Sequence, residues 1–152
     1  MSAESIQVDT EVEALLTRAG LPVSDLRETR GLNLFGVRLN ERLIGVVGVE
    51  VHGVAGLLRS LTVAETHRNS GYGQALASHA EAWASQQGVK TLYLLTTAAA
   101  GFFARLGYEA IPRSEAPAAI AATSQFAGLC PASSTFMRKV LAADSSRQAR
   151  RP

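Results

Sequence analysis

The chain has 152 residues, 47% of them hydrophobic and 18% charged, which is enough apolar side chain for one domain with a buried core and excludes a chain disordered throughout. Residues 1 to 140 hold 12 basic and 12 acidic side chains, so the net charge of +2 comes from Arg147, Arg150 and Arg151 against Asp144; the basic balance belongs to the tail and does not read as a nucleic-acid surface, which needs clustered charge on the folded part. A single cysteine, Cys130, excludes an internal disulfide framework, and no apolar run approaches the roughly 18 residues of a membrane span.

In chain order, residues 5 to 8 alternate as a short strand. Thr10 is placed to cap a helix with Glu13 reaching back to it, and Val12, Leu15, Leu16 and Ala19 share one face until Gly20 stops the run. Residues 21 to 30 are ambiguous, and Pro22 followed by Ser24-Asp25-Leu26 is compatible with a second short helix. Residues 32 to 39, Leu43 to Val51 and Leu57 to Val63 read as three strands of an antiparallel meander, with turns at 40 to 42 and 53 to 56. The texture then changes. Tyr72 to Gln87 carries Leu76, Ala80, Trp83 and Ala84 at helical spacing, and Gly88 ends it. A strand at 91 to 97, a short helix at 99 to 106, a strand at 108 to 111, an alanine-rich helix at 115 to 128 and a last strand at 135 to 141 follow. The strand–helix–strand step from 57 to 97 requires parallel neighbours. The expected fold is a mixed α/β sheet of six to seven strands, mostly antiparallel, in one domain over 1 to 141, with a basic, disordered tail over 142 to 152.

The segment Arg68-Asn69-Ser70-Gly71-Tyr72-Gly73 lies between a strand and a helix. The first amides of a helix lack intrahelical partners and carry partial positive charge. Gly71 and Gly73 let another molecule approach the backbone, and Arg68 adds a cation. That combination suits a diphosphate. A dinucleotide loop would need a third glycine where Leu76 stands, and a P-loop would need Gly-Lys-Ser/Thr. A plain glycine turn with a solvated arginine is the other reading of the same residues.

This segment resembles the Arg/Gln-x-x-Gly-x-Gly/Ala signature of the GCN5-related N-acetyltransferase (GNAT) superfamily. Gly101-Phe102-Phe103-Ala104-Arg105-Leu106-Gly107-Tyr108 resembles the second landmark of that superfamily. The likeness covers about residues 5 to 141. Within the superfamily, "GVVGVEVHGVAGLLRSLTV", "LYLLTT", "GFFARLGY", "APAAI" and "FAGLCPASS" resemble the small N-acetyltransferases associated with arsenic resistance.

The resemblance implies acetyl-CoA as cosubstrate and a small-molecule amine as acceptor, such as an arsenic- or phosphorus-containing amino acid. It implies that Arg68, Asn69, Ser70, Gly71, Tyr72, Gly73 and Gln74 hold the diphosphate. It implies that the backbone of Leu61, Thr62 and Val63 pairs with the pantetheine arm, and that Phe102, Phe103 and Arg105 flank it. Dimers are common among such proteins, so a homodimer is expected. Two departures stand out. Leu57 occupies the position where some members carry a glutamate base, and Phe103 stands where many carry a tyrosine acid. Glu50 is therefore the candidate base. If Gly53 and Gly56 close their turn as a pair, Glu50 sits opposite Arg59, and both share a face with Leu57, Leu61 and Val63. Arg59 and His52 are candidates for the acceptor site; a structural Glu50–Arg59 salt bridge stays open beside that reading. His67, His79 and Cys130 show no metal-ligand spacing, so no metal is expected. An acyl-CoA-binding module without catalysis and a protein N-acetyltransferase also stay open. No leader pattern precedes the first strand, and with one cysteine the expected location is the cytoplasm, with neither nucleic acid nor membrane as partner.

Overall fold

Seven strands build the sheet of the computed structural model, which describes residues 3–27, 29, 31–129 and 133–141. They are β1 (Glu4–Ile6), β2 (Leu32–Leu39), β3 (Arg42–His52), β4 (Ala55–Val63), β5 (Thr91–Thr96), β6 (Glu109–Ala110) and β7 (Thr135–Val140), in the order β1-β2-β3-β4-β5-β7-β6. The expected parallel step is present: β4 pairs with β5 in parallel, from Ala55 with Thr91 to Leu57 with Tyr93. The β1–β2, β2–β3, β5–β7 and β6–β7 pairs are antiparallel. The helices are α1 (Thr10–Arg18), α2 (Tyr72–Gln86), α3 (Ala100–Arg105) and α4 (Ala118–Ala121). None of the described helices is long and apolar enough to cross a membrane. The chain divides into two units, one of Met1–Glu50 with Leu58–Ala80, the other of Val51–Leu57 with Glu81–Pro152. Cys130 and the tail from 142 to 152 lie outside the described residues.

In the first unit, α1 is capped by Asp9, not Thr10. Asp9 is extended, and its Oδ1 accepts a hydrogen bond from the Val12 amide at 2.9 Å. An aspartate is as good a cap as any neutral residue and adds charge at the positive helix end. Glu13 does not reach back; it meets Arg27 at 3.0 Å. Val12, Leu15 and Leu16 pack on Leu26, Leu34, Leu43 and Val46. Ser24 to Arg27 form a turn where a second helix had been compatible.

The β2–β3 hairpin closes through Asn40 (φ 51°) and Glu41 (φ 66°), with Leu39 paired to Arg42. Positive φ at both central residues is the type I′ requirement, which glutamate meets poorly. Glu41→Gly is therefore expected to raise unfolding stability by about 1 kcal/mol, read as a higher denaturant midpoint with unchanged slope.

In the second unit, Ala55, Leu57, Tyr93, Ile120 and Phe136 form a core. Tyr93 stacks on Phe136 with centroids 5.6 Å apart, and Phe126 meets Phe136 edge-on at 5.2 Å. The alanine-rich segment is not one helix. It holds a 3₁₀ turn at Arg113–Glu115, then α4, then a π turn at Gln125–Leu129. The Thr123 hydroxyl donates to the Ile120 carbonyl at 2.7 Å and accepts from the Phe126 amide at 3.3 Å, so a side chain takes over backbone partners and ends α4.

Candidate functional site

The loop from β4 to α2 lies in the first unit. After Val63, residues Glu65–His67 form a 3₁₀ turn, and Arg68 is extended with φ −70° and ψ 157°. Asn69 and Gly71 then take positive φ, 65° and 85°. Asparagine tolerates that conformation better than most residues, and glycine adopts it freely. The Gly71 carbonyl accepts the Ala75 amide at 3.0 Å, which is the first turn of α2. The amides of Tyr72, Gly73 and Gln74 thus precede the first residue that an intrahelical carbonyl can serve. No acidic residue occupies that turn. A Cβ placed on Gly71 would meet nothing within 4 Å, so the space beside it is open. Arg68 is exposed, and its Nε donates to the Val63 carbonyl at 2.9 Å, tying the cation to the end of β4. His67 is edge-on to Tyr72 at 6.2 Å, and its Nδ1 lies 2.8 Å from the Thr66 hydroxyl.

The helix holds this position through its buried face. Leu76, Ala77 and Ala80 are buried. Leu76 Cδ1 lies 2.8 Å from where a Cβ on Gly45 would stand, so a glycine in β3 makes the room for α2. Phe35 on β2 meets His79 of α2 edge-on at 4.9 Å.

Glu50 and Arg59 do meet, and a third residue joins them. Arg59 Nη1 donates to Glu50 Oε2 at 3.0 Å. The same guanidinium forks onto Asp25, Nη1 to Oδ2 at 2.6 Å and Nη2 to Oδ1 at 2.8 Å. Its Nε donates to the Ser60 hydroxyl at 3.2 Å. Glu50 is 2% exposed and Arg59 3%. Burial alone would raise the Asp25 pKa, but the Arg59 bonds and charge outweigh it, and the carboxyl is held below its usual value. For Arg59, burial lowers and the two carboxylates raise, with a net rise. A depressed carboxyl pKa adds stability above the unfolded value and loses it as pH falls through the folded one. The stability difference between wild type and Asp25→Asn is therefore expected to be constant at neutral pH and to shrink as pH falls below about 4, measured by denaturant unfolding across pH.

The expected geometry needs two corrections. The turn closes over Gly53 and Val54, so β4 starts at Ala55, two residues before the expected Leu57. Arg59 Cγ then lies 3.5 Å from the Cβ position of Gly48, and Arg59 reaches along β3 to Glu50. Second, Arg59 and Val63 do not share a face. Val63 Cγ2 lies 3.8 Å from the Cβ position of Gly45. Gly45 to Gly48 pair consecutively with Val37 to Leu34, so these two glycines, three apart, face opposite sides of the sheet. The cause is Ser60, which has φ 62° within β4 and breaks the alternation. For a serine this left-handed conformation costs about 1–2 kcal/mol, which the surrounding bonds must offset.

Asp25 and Ser60 escaped the sequence reading. Asp25 sits in the ambiguous 21 to 30 segment, and serine is not a residue type that signals positive φ. Leu61, Thr62 and Val63 close β4 as expected, with Thr62 buried. His52 ends β3, half-buried, in the second unit. There too, α3 carries Phe102, Phe103 and Arg105. Phe103 is buried, edge-on to Phe102 at 5.1 Å and to Tyr108 at 5.6 Å. Tyr108 donates to Glu81 Oε2 at 3.0 Å, and burial, followed by the Glu81 charge, pushes its pKa up, so it holds its proton. Lys139 Nζ closes that cluster on Glu81 Oε1 at 2.9 Å and the Leu106 carbonyl at 2.8 Å. A cavity of about 500 Å³ in the first unit is lined by residues 5–8, Leu26, Arg27, Thr29 and 32–34, and none of the 68 to 74 loop.

Comparison with known proteins bears on this arrangement. A model of the acetyltransferase (GNAT) family matches residues 5–108. A stretch of 60 residues is 43% identical to an uncharacterised N-acetyltransferase of Chlorobaculum tepidum, across 40% of this chain and 38% of that protein. The match thus spans well under half of that relative. N-acetylglutamate synthase from Neisseria gonorrhoeae, solved with coenzyme A and N-acetyl-glutamate, superposes with a TM-score of 0.73 at 18% identity, over 93% of this chain and 35% of that one. GCN5 from Tetrahymena superposes with a TM-score of 0.75 at 14% identity, over 93% and 96% of the two chains. At such identities the likeness is one of fold.

Proposed function

Since the chain belongs to the acetyltransferase (GNAT) family, we propose that it transfers the acetyl group of acetyl-CoA to the amine of a small molecule. The observation that carries this reading is the start of α2. Three helix-end amides, two positive-φ residues and a cation anchored to β4 converge there, with open space beside Gly71. A diphosphate is the part of coenzyme A that such a site suits. The Leu61–Val63 backbone is the proposed partner of the pantetheine arm, joined as an added half-strand. A backbone N–H on that stretch is the proposed donor to the oxyanion that forms at the thioester carbonyl.

The amine must be neutral to attack. Its nitrogen forms a bond to the acetyl carbon, the carbon–sulfur bond breaks, and coenzyme A leaves as thiolate. Glu50 is the proposed acceptor of the amine proton, acting through a water. Arg59, fully enclosed by Asp25, Glu50 and Ser60, serves Glu50 and β4 in this reading. His52 stays proposed as an acceptor contact on its place two residues after Glu50. Phe103 has no proton to give and Tyr108 keeps its own, so water reprotonates the thiolate; a thiol with pKa about 8.5 is an adequate leaving group without an acid. The roles of Phe102, Phe103 and Arg105 beside the arm rest on the family resemblance.

Among small amines, we propose an amino acid carrying arsenic or phosphorus, on the likeness of the segments around Leu92 to Thr97 and Phe126 to Ser134 to the arsenic-associated group. Thiol release from acetyl-CoA over a panel of such amino acids, ordinary amino acids and short peptides tests this. Turnover concentrated in the first group is expected. Turnover of peptides alone contradicts the small-molecule acceptor.

A further inference from the structure

Several bonds in the first unit converge on the Arg59 guanidinium, and one of them reaches Ser60. Ser60 is a non-glycine residue with φ 62° inside a strand, and beyond it Val63 lies on the α2 side of the sheet while Arg59 lies on the other. Arg59 donates from Nε to the Ser60 hydroxyl at 3.2 Å. The rest of that guanidinium is fixed by both oxygens of Asp25, at 2.6 and 2.8 Å, with Glu50 Oε2 sharing Nη1 at 3.0 Å. The Arg59 side chain has no exposed surface, and that of Asp25 is 11% exposed. Asp25 is itself secured. The Thr29 hydroxyl donates to its Oδ2 at 3.1 Å and to its carbonyl at 2.7 Å. A guanidinium is planar, so a fork that fixes both Nη atoms also fixes where Nε points.

We propose that Asp25 is a positioning residue for the donor site: through Arg59 it holds Ser60 in the left-handed turn that sets the Leu61–Val63 backbone against the arm of the acyl donor. The inference rests on the reading of acetyl-CoA as donor. Asp25 touches no reacting atom in it. Its effect falls mainly on the arm, because the fork ends on β4, whereas the diphosphate loop is set by the start of α2 and is tied to β4 only through the bond from Arg68 to the Val63 carbonyl.

The test uses two ligands on the full chain. One is acetyl-CoA. The other is adenosine 3′-phosphate 5′-diphosphate, the nucleotide portion of coenzyme A without the arm. Asp25→Asn is expected to weaken acetyl-CoA binding roughly tenfold or more in calorimetric titration, while the nucleotide is weakened far less, by no more than the loosening of Arg68 at the Val63 carbonyl allows. Adding Ser60→Gly, which adopts positive φ without steric cost, is expected to restore most of the acetyl-CoA affinity, while the thermal midpoint recovers only by what relief of the serine strain supplies. A merely structural ion pair predicts otherwise: both ligands weaken together, and the glycine brings no recovery. Should Asp25→Asn not fold at the assay temperature, Asp25→Glu keeps the charge but displaces the fork, and the same split between ligands is expected in smaller measure; an equal response of both ligands to it overturns the inference. Wild type that binds neither ligand overturns the donor reading and this inference together. Wild type that binds both, with an Asp25→Asn variant that treats them alike, overturns this inference alone.

Discussion

Glu50→Gln is expected to lower kcat for amine acetylation by about a hundredfold to a thousandfold and to leave acetyl-CoA binding unchanged. Glutamine matches glutamate in size, so the buried position on β3 is still filled. Arg59 keeps its fork on Asp25, so the guanidinium does not become an unpaired buried charge. The charge-assisted bond between Arg59 and Glu50 is weakened, at a cost of about 1–3 kcal/mol in stability. What glutamine cannot do is accept the proton of an ammonium. The pH profile separates this role from a structural one. With the base gone, turnover depends on the fraction of amine already neutral in solution, so the deficit is expected to narrow as pH rises toward the pKa of the amine. A variant with wild-type kcat and an unchanged profile would make Glu50 half of a structural pair, the alternative that the residues alone left open.

Gly71→Val is the second large effect. Gly71 has φ 85°, a conformation that costs a residue with Cβ about 1–2 kcal/mol, and more for a β-branched one. Within the protein, its Cβ would meet nothing within 4 Å. Packing therefore gives no reason for lost binding, and any loss beyond backbone strain reports a ligand that occupies the space. Gly20 supplies the control. It has φ 75°, its Cβ would also meet nothing within 4 Å, and it follows the C-cap of α1 and lies outside the 68 to 74 segment. Gly20→Val and Gly71→Val are expected to lower the unfolding midpoint by similar amounts. Gly71→Val alone is expected to weaken acetyl-CoA at least tenfold, about 1.4 kcal/mol or more, in equilibrium titration. Equal binding by both variants contradicts a diphosphate at this loop.

The elements with strong local signals were readable from residues alone. The helix expected over Tyr72 to Gln87 is α2 at Tyr72–Gln86, and the valine-rich run is β3. Glycines at 20, 88 and 107 take positive φ beside helix ends, as a stop signal requires. Features fixed by tertiary partners were not readable. Nothing in "LLRSLTV" marks Ser60 as left-handed, because its conformation answers to Arg59 and to residues far along the chain. Asp25 lies 34 residues from Arg59, and only the folded chain brings the fork together. Thr123 breaks an alanine-rich run that composition reads as continuous. The same division runs through the candidate site. The proposed donor loop is local, set by backbone conformations at Arg68, Asn69 and Gly71, and its sequence is distinctive. The proposed acceptor side draws on side chains from separate elements, and no spacing along the chain describes it.

The central claim is that the acyl donor lies at the start of α2. Titrating the ¹⁵N-labelled chain with acetyl-CoA and following backbone amide shifts tests it most directly. The account predicts saturable binding, with the largest shifts at the amides of residues 69 to 74 and further shifts at Leu61 to Val63. Saturable binding with those amides unmoved, and the shifts gathered instead around the cavity of residues 5–8 and 32–34, would contradict it.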